Sequence, residues 1–252
     1  MNDKTIINVN QVSKIYSLQT KSTLRQKAST MLRKDSKYSR SSPFYALKNV
    51  SFSMKKGESL AVFGHNGSGK TTLLQLLAHV MSPTSGTIEI EGRYTALLGA
   101  ALGLMPTMTG LENINLMAAM YGVGLNQYPE LLEEIIAFAD IGDFINSYVK
   151  NYSNGMKARI GFSVAIHILP EIVFIDEILA VGDVHFKEKC SNKIIQLREE
   201  GRTFIIVSHI LNMVESLCDR AIWLDEGQIK MDAGVQETWN EYLTFKQATR
   251  KM

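Results

Sequence analysis

One stretch constrains this 252-residue chain more than any other: Gly64-His65-Asn66-Gly67-Ser68-Gly69-Lys70-Thr71, of the form G-x-x-x-x-G-K-T. Glycines at this spacing let backbone N–H groups turn inward as a nest around phosphate oxygens. The run Ser59-Leu60-Ala61-Val62-Phe63 ahead of it reads as a short buried strand. Behind it, Leu73, Leu74, Leu77 and Val80 mark the inner face of a helix whose positive end points at the same anion. In that setting Lys70 reaches the β- and γ-phosphates and the Thr71 hydroxyl ligates Mg²⁺. The residues from Gly64 through Thr72 border the nucleotide.

A second constellation lies downstream, in Glu171-Ile172-Val173-Phe174-Ile175-Asp176-Glu177. Four apolar residues ending in two acids place both carboxylates at the C-terminal edge of a buried strand, where open α/β sheets bind ligands. Asp176 is suited to hold Mg²⁺ through water, and Glu177 to act as general base on an attacking water. Together the two motifs predict a nucleoside triphosphatase.

Around them, periodicity alternates between strand and helix. Strands are expected at 5–12, across the alternating Val50, Phe52 and Met54, and at 59–63, 86–92, 171–175, 203–207, 221–224 and 228–230. Helical patterns fall at 110–121, 129–140, 154–168, 186–199, 210–218 and 235–248. Strands followed by helices on both sides of the glycine loop predict an α/β sheet with mainly parallel core strands. The helix-rich middle reads as an insertion. No linker rich in Pro, Gly or Ser separates it, so 1–252 is taken as one composite domain.

Charge and cysteine usage narrow the function classes. A formal net charge of +2 makes the whole chain no polyanion binder. Its basic residues concentrate at 17–43, where Lys21, Arg25, Lys27, Arg33, Lys34, Lys37 and Arg40 face a single acid, Asp35. Leu24, Ala28, Met31 and Leu32 fall on one helical face there, so the segment reads as a basic amphipathic helix ending in a Ser-rich loop closed by Pro43; the alternative is a solvated insertion loop. Cys190 and Cys218 lack metal-ligand spacing and fit small buried hydrophobes in a reducing compartment. No secretory leader pattern opens the chain, and no apolar run reaches the ~18–20 residues that span a bilayer.

The stretch Asn151-Tyr152-Ser153-Asn154-Gly155-Met156 starts another helical run. The order of phosphate loop, Ser-x-Gly helix start, hydrophobic-Asp-Glu and strand-Ser208-His209 resembles the ATP-binding-cassette (ABC) ATPases over about residues 5 to 231. The family fingerprint Leu-Ser-Gly-Gly-Gln is matched at Ser153 and Gly155. The resemblance implies a P-loop NTPase (ABC ATPase) fold with a mainly parallel core sheet, an antiparallel β subdomain and a helical subdomain inserted at about 96–168. It implies ATP and Mg²⁺ as cofactors and a second copy of the chain as partner. Ser153 and the N–H of Gly155 would then clasp the γ-phosphate of ATP held by that copy. Asp183 would cross the dimer interface, and His209 would contact the γ-phosphate beside Glu177 and Lys70 in catalysis. Tyr16 would stack on adenine, with Phe44 or Tyr45 as alternatives.

Three stretches, 152–165, 176–190 and the Leu-Gly-rich 97–114, resemble the ATPase subunits of exporters for lipid-linked polysaccharides such as O-antigen, capsule and teichoic acid. That likeness implies an integral membrane permease partner, a polyprenyl-linked glycan as cargo and a peripheral place on the cytoplasmic face of the inner membrane. The basic segment would lie near lipid headgroups. Two departures qualify it. Most ABC ATPases carry a Gln after the strand that follows 86–92, yet 93–106 contains none. The chain also ends soon after 248, without the length for the glycan-recognising β-sandwich of some relatives. Another cargo remains open, as does a soluble ABC ATPase acting on nucleic acid or ribosomes. Such proteins usually fuse two cassettes or insert a long coiled coil, so nucleic acid is not expected as a partner.

Overall fold

In the computed structural model, which describes residues 4–16, 43–97, 103–168, 170–176, 183–208 and 211–250, the chain opens with the antiparallel pair β1 (Thr5–Tyr16) and β2 (Phe44–Lys55). β3 (Ser59–Phe63) runs into the glycine loop and α1 (Lys70–Leu77). β4 (Ser85–Ile90) returns to β1, giving a three-stranded antiparallel sheet in the order β2-β1-β4. β5 (Tyr94–Leu97) precedes a helical block of α2 (Gly110–Met120), α3 (Tyr128–Ala139), the 3₁₀ turns Gly142–Asn146 and Val149–Asn151, and α4 (Asn154–Ile168). Strands and helices then alternate: β6 (Ile172–Asp176), α5 (Val184–Glu199), β7 (Thr203–Val207), α6 (Leu211–Leu217), β8 (Arg220–Asp225), β9 (Gln228–Gly234) and α7 (Val235–Arg250). The larger sheet has the order β5-β6-β7-β3-β8-β9. It is parallel except for the antiparallel β8–β9 hairpin.

The central strands are uninterrupted apolar runs because both their faces are covered. Successive side chains point to opposite faces, and they divide accordingly. Ala61, Phe63, Val173, Ile175, Phe204 and Ile206 join a core with Phe186, Ile194 and Val214 of α5 and α6. Leu60, Val62, Ile172, Phe174, Ile205 and Val207 join another with Leu73, Leu74 and Leu77 of α1 and with Val50, Phe52 and Met54 of β2. Each such side chain, fully buried, stabilises the fold by roughly 1.5–3 kcal/mol. The glycine loop is thereby fixed at the edge of the most deeply buried layer.

The helical block has its own core of Ile114, Ile135, Ile145, Val149, Tyr152, Ile160 and Val164. α2 begins with a reciprocal cap: the Glu112 N–H donates to Thr109 Oγ1 at 3.1 Å, and the Thr109 N–H donates to the Glu112 carboxylate at 2.7 Å. Gly110 stands against Tyr152, since a Cβ there would lie 2.3 Å from its Oη.

Three sequence expectations are corrected. α1 stops at Leu77, and Val80, placed on its inner face, lies beyond the helix and is exposed, because His79 turns the chain at φ +52°. β1 extends past 12 to Tyr16, carried by a register shift around Gln11 at φ +50°. Ala96 and Leu97 belong to β5, whose parallel pairing with β6 delays the start of the Leu-Gly loop. The basic segment up to 42 and residues 98–102 lie outside the described residues. Among the described residues, no helix is long and apolar enough to cross a membrane. Both cysteines are buried, and burial pushes the Cys190 thiol up to about 12.

Candidate functional site

The loop between β3 and α1 is shaped by close approaches that only glycine permits. Gly64 takes φ +151°, and a Cβ there would lie 2.2 Å from the Leu224 carbonyl oxygen. Gly69 takes φ +110°, with Ala46 O at 2.5 Å from where its Cβ would be. Lys70 is buried, and its ammonium donates to the carbonyls of Gly64 and His65, each at 2.8 Å. A positive charge therefore sits in the concavity of the loop. Gly69 gives α1 no side-chain cap, so its first N–H groups face the same space. The Ser68 hydroxyl is fully buried and has no hydrogen-bond partner among the described residues. These donors suit a polyphosphate.

β6 brings a carboxylate to this loop across the sheet. β7 lies between β3 and β6, with Val62 paired to Val207 and Val207 to Asp176. The result is a Thr71 Oγ1 to Asp176 Oδ2 distance of 3.5 Å. A hydroxyl and a carboxylate oxygen are the hard donors that Mg²⁺ prefers. Both border a cleft of about 380 Å³, together with Lys70, Asn66, Gly67 and Thr72. Tyr16 and Phe44, partners at the end of the β1–β2 ladder, stand at its mouth. Tyr45 pairs with Ile15 and does not line the cleft. Glu177 and His209 lie outside the described residues.

Ser153, Gly155 and Asp183 are not brought into this cleft. Ser153 caps the fingerprint helix, accepting from the Met156 N–H at 3.1 Å. Asp183 caps α5, accepting from the Phe186 N–H at 3.0 Å, and pairs with the Arg159 guanidinium. Those two contacts, the Phe186 N–H first, hold its carboxyl down at about 2. Arg159 also reaches Asp140 at 3.4 Å and lies 4.8 Å from the centre of the Phe186 ring. One side chain thus ties the end of α3, the fingerprint helix and the start of α5. Arg159 carried no signal of this role in the sequence, because its partners Asp140 and Asp183 lie outside α4. The sequence reading also passed over Asp225, which closes β8 within 3.0 Å of the His65 ring.

A strand, glycine loop and helix set in a parallel sheet, with an acid at the end of a nearby strand, define a P-loop ATPase fold. Residues 47–180 match the model of the ABC transporter family, and the chain belongs to that family. It is 46% identical over 202 residues to the teichoic acids export ATP-binding protein TagH of Listeria innocua, covering 80% of this chain and 60% of that protein. The TagH of Bacillus anthracis is 41% identical over 241 residues, 96% of this chain and 43% of that protein. The chain thus spans roughly half the length of these curated relatives. Its fold is similar to a dimeric ATP-binding cassette solved in a post-hydrolysis state with ADP and Pi. The TM-score is 0.73 at 22% identity, over 91% of this chain and 99% of that one.

Proposed function

We propose that this chain is the ATP-hydrolysing subunit of an exporter that carries a lipid-linked polysaccharide, of the O-antigen or teichoic acid class, across the inner membrane through a separate permease. The observation that carries the ATPase part is the approach of Thr71 to Asp176 beside the buried ammonium of Lys70. Lys70 and the loop N–H groups bind and orient the β- and γ-phosphates, and Thr71 and Asp176 would hold Mg²⁺. That ion offsets phosphate charge when bound. Glu177, following Asp176 in the chain, acts as general base toward water, and His209 contacts the γ-phosphate. Tyr16 stacks on adenine.

Ser153, Gly155 and Asp183 lie outside the chain's own cleft, which favours a site completed by a second copy: each copy offers its fingerprint helix start to the other's nucleotide. The cargo assignment is supported by the likeness to teichoic acid exporters. The subunit is peripheral on the cytoplasmic face, meets the membrane through its permease and takes no nucleic acid. With no Gln in 93–106, coupling runs through the Leu-Gly loop and the helical block.

Replacing the native copy by Glu177→Gln in its own host tests both parts at once. Polyprenyl-linked polymer should accumulate inside the cell while surface glycan falls. Unchanged surface glycan with no accumulation refutes the cargo assignment.

A further inference from the structure

We propose that Asp225 is a positioning residue of the nucleotide site, gripping the phosphate loop from outside through the His65 ring; the inference rests on the ATP-binding reading above. The His65 Nε2 lies 3.0 Å from Asp225 Oδ1, and its Nδ1 lies 2.7 Å from the Asn66 carbonyl oxygen. The Asp225 side chain is 7% exposed and that of His65 51%, so the contact is sheltered on one side and wet on the other.

The turn that carries Asp225 holds the loop in other ways too. The Gly227 N–H donates to the Ser68 carbonyl at 3.0 Å, and the Leu224 carbonyl crowds Gly64 so closely that no Cβ fits there. Gly227 itself takes φ +74°, with Ala46 O 2.8 Å from where a Cβ would be, and its carbonyl accepts from the Lys48 N–H at 2.8 Å. The β8–β9 turn is wedged between β2 and the loop. His65 is then held twice: its carbonyl by Lys70 from within the concavity, its ring by Asp225 from behind. Among the described residues, Lys70 from α1 donates to the His65 carbonyl, and Tyr242 from α7 has its phenol pushed up by burial and then by the Asp225 carboxylate.

A loop already fixed in its phosphate-binding shape loses less freedom when the anion arrives. Asp225→Asn should therefore weaken ATP binding to the full chain about 5- to 20-fold. That exceeds the effect of an exposed ion pair and falls short of a fully buried one. His65→Gln should match it, and the double variant should be no weaker than either single, because the two residues form one contact. ATP and inorganic tripolyphosphate are titrated without Mg²⁺, by calorimetry; the two should weaken alike, because the loop grips phosphate and not the base.

A loss confined to ATP, with tripolyphosphate bound as by wild type, overturns the clamp, and so do losses that multiply in the double variant. Single variants that bind like wild type also overturn it while leaving ATP binding itself intact. A wild-type chain that binds no ATP refutes the nucleotide reading and this inference together. If Asp225→Asn fails to fold, His65→Gln carries the test.

Discussion

Tyr16→Ala should weaken ATP binding about 5- to 30-fold while leaving the affinity for inorganic tripolyphosphate unchanged. Tyr16 and Phe44 are the last facing pair of the β1–β2 ladder, 36% and 49% exposed at the cleft mouth. The tyrosine is the better fixed of the two. Its hydroxyl meets Met81 Sδ at 3.2 Å, and the Lys14 ammonium stands 5.6 Å from its ring centre while donating to Ser82 O at 2.7 Å. A ring held in this way gives up little rotamer entropy when a base settles on its open face. Stacking of a base on an aromatic side chain is worth ~1–3 kcal/mol. A partly exposed platform belongs in the lower half of that range, about 1–2 kcal/mol, which converts to the stated loss at about 1.4 kcal/mol per tenfold. Phe44→Ala should cost less than about threefold by the same reasoning. Calorimetric titration of each variant with Mg²⁺-free ATP and with tripolyphosphate separates base from phosphate. An equal loss for both ligands refutes the stacking role, because only ATP carries adenine. Unchanged ATP affinity refutes it as well.

Two further outcomes concern the far side of the domain. Because the Asp183 carboxyl sits at about 2, below its ordinary range, the contribution of its contacts to stability is complete above that range and is lost as pH falls through about 2. Arg159→Ala should raise its titration only part of the way back, since the Phe186 N–H is the larger cause; carboxyl-carbon NMR reads this, and a full return would show the ranking to be wrong. Gly110→Ala should destabilise by about 1–3 kcal/mol through the clash with Tyr152 Oη, and adding Tyr152→Phe should recover part of it in urea unfolding. Since Tyr152→Phe alone forfeits the donation of its hydroxyl to the Phe144 carbonyl, the comparison is with that single variant: if Gly110→Ala costs as much in its background as in wild type, the hydroxyl is not what the new methyl meets.

What the sequence disclosed follows from how locally each feature is encoded. The glycine loop, the apolar strand ending in Asp176 and the Ser153 cap are contiguous patterns whose chemistry depends on their neighbours in the chain. Their placement could be read without a structure. β5 could not: Tyr94-Thr95-Ala96-Leu97 has no strong alternation, and it is a strand because β6 offers it a parallel edge. Val80 misled for the converse reason. It continues the helical spacing of Leu73 and Leu77, but spacing carries no information that the chain turns at His79. The contacts of Arg159 with Asp183 and of His65 with Asp225 join residues far apart in sequence. Each partner taken alone looks like an ordinary surface charge. Of Tyr16 and its alternatives Phe44 and Tyr45, strand pairing puts the first two at the cleft and the third away from it.

These long-range contacts have a common consequence for the proposed mechanism. The residues assigned to the chain's own nucleotide are anchored to the large sheet: Lys70 and Thr71 by α1, Asp176 by β6, and the loop by the β8–β9 turn. The residues assigned to the second copy's nucleotide, Ser153 and Asp183, begin two helices that a single guanidinium, Arg159, ties to each other and to the end of α3. A displacement of the helical block by a permease would therefore reach Ser153 and Asp183 together, while the sheet keeps Lys70 and Asp176 in register. Under the proposed function, that division would let one movement open or close a shared site without disturbing how each chain grips its own phosphates.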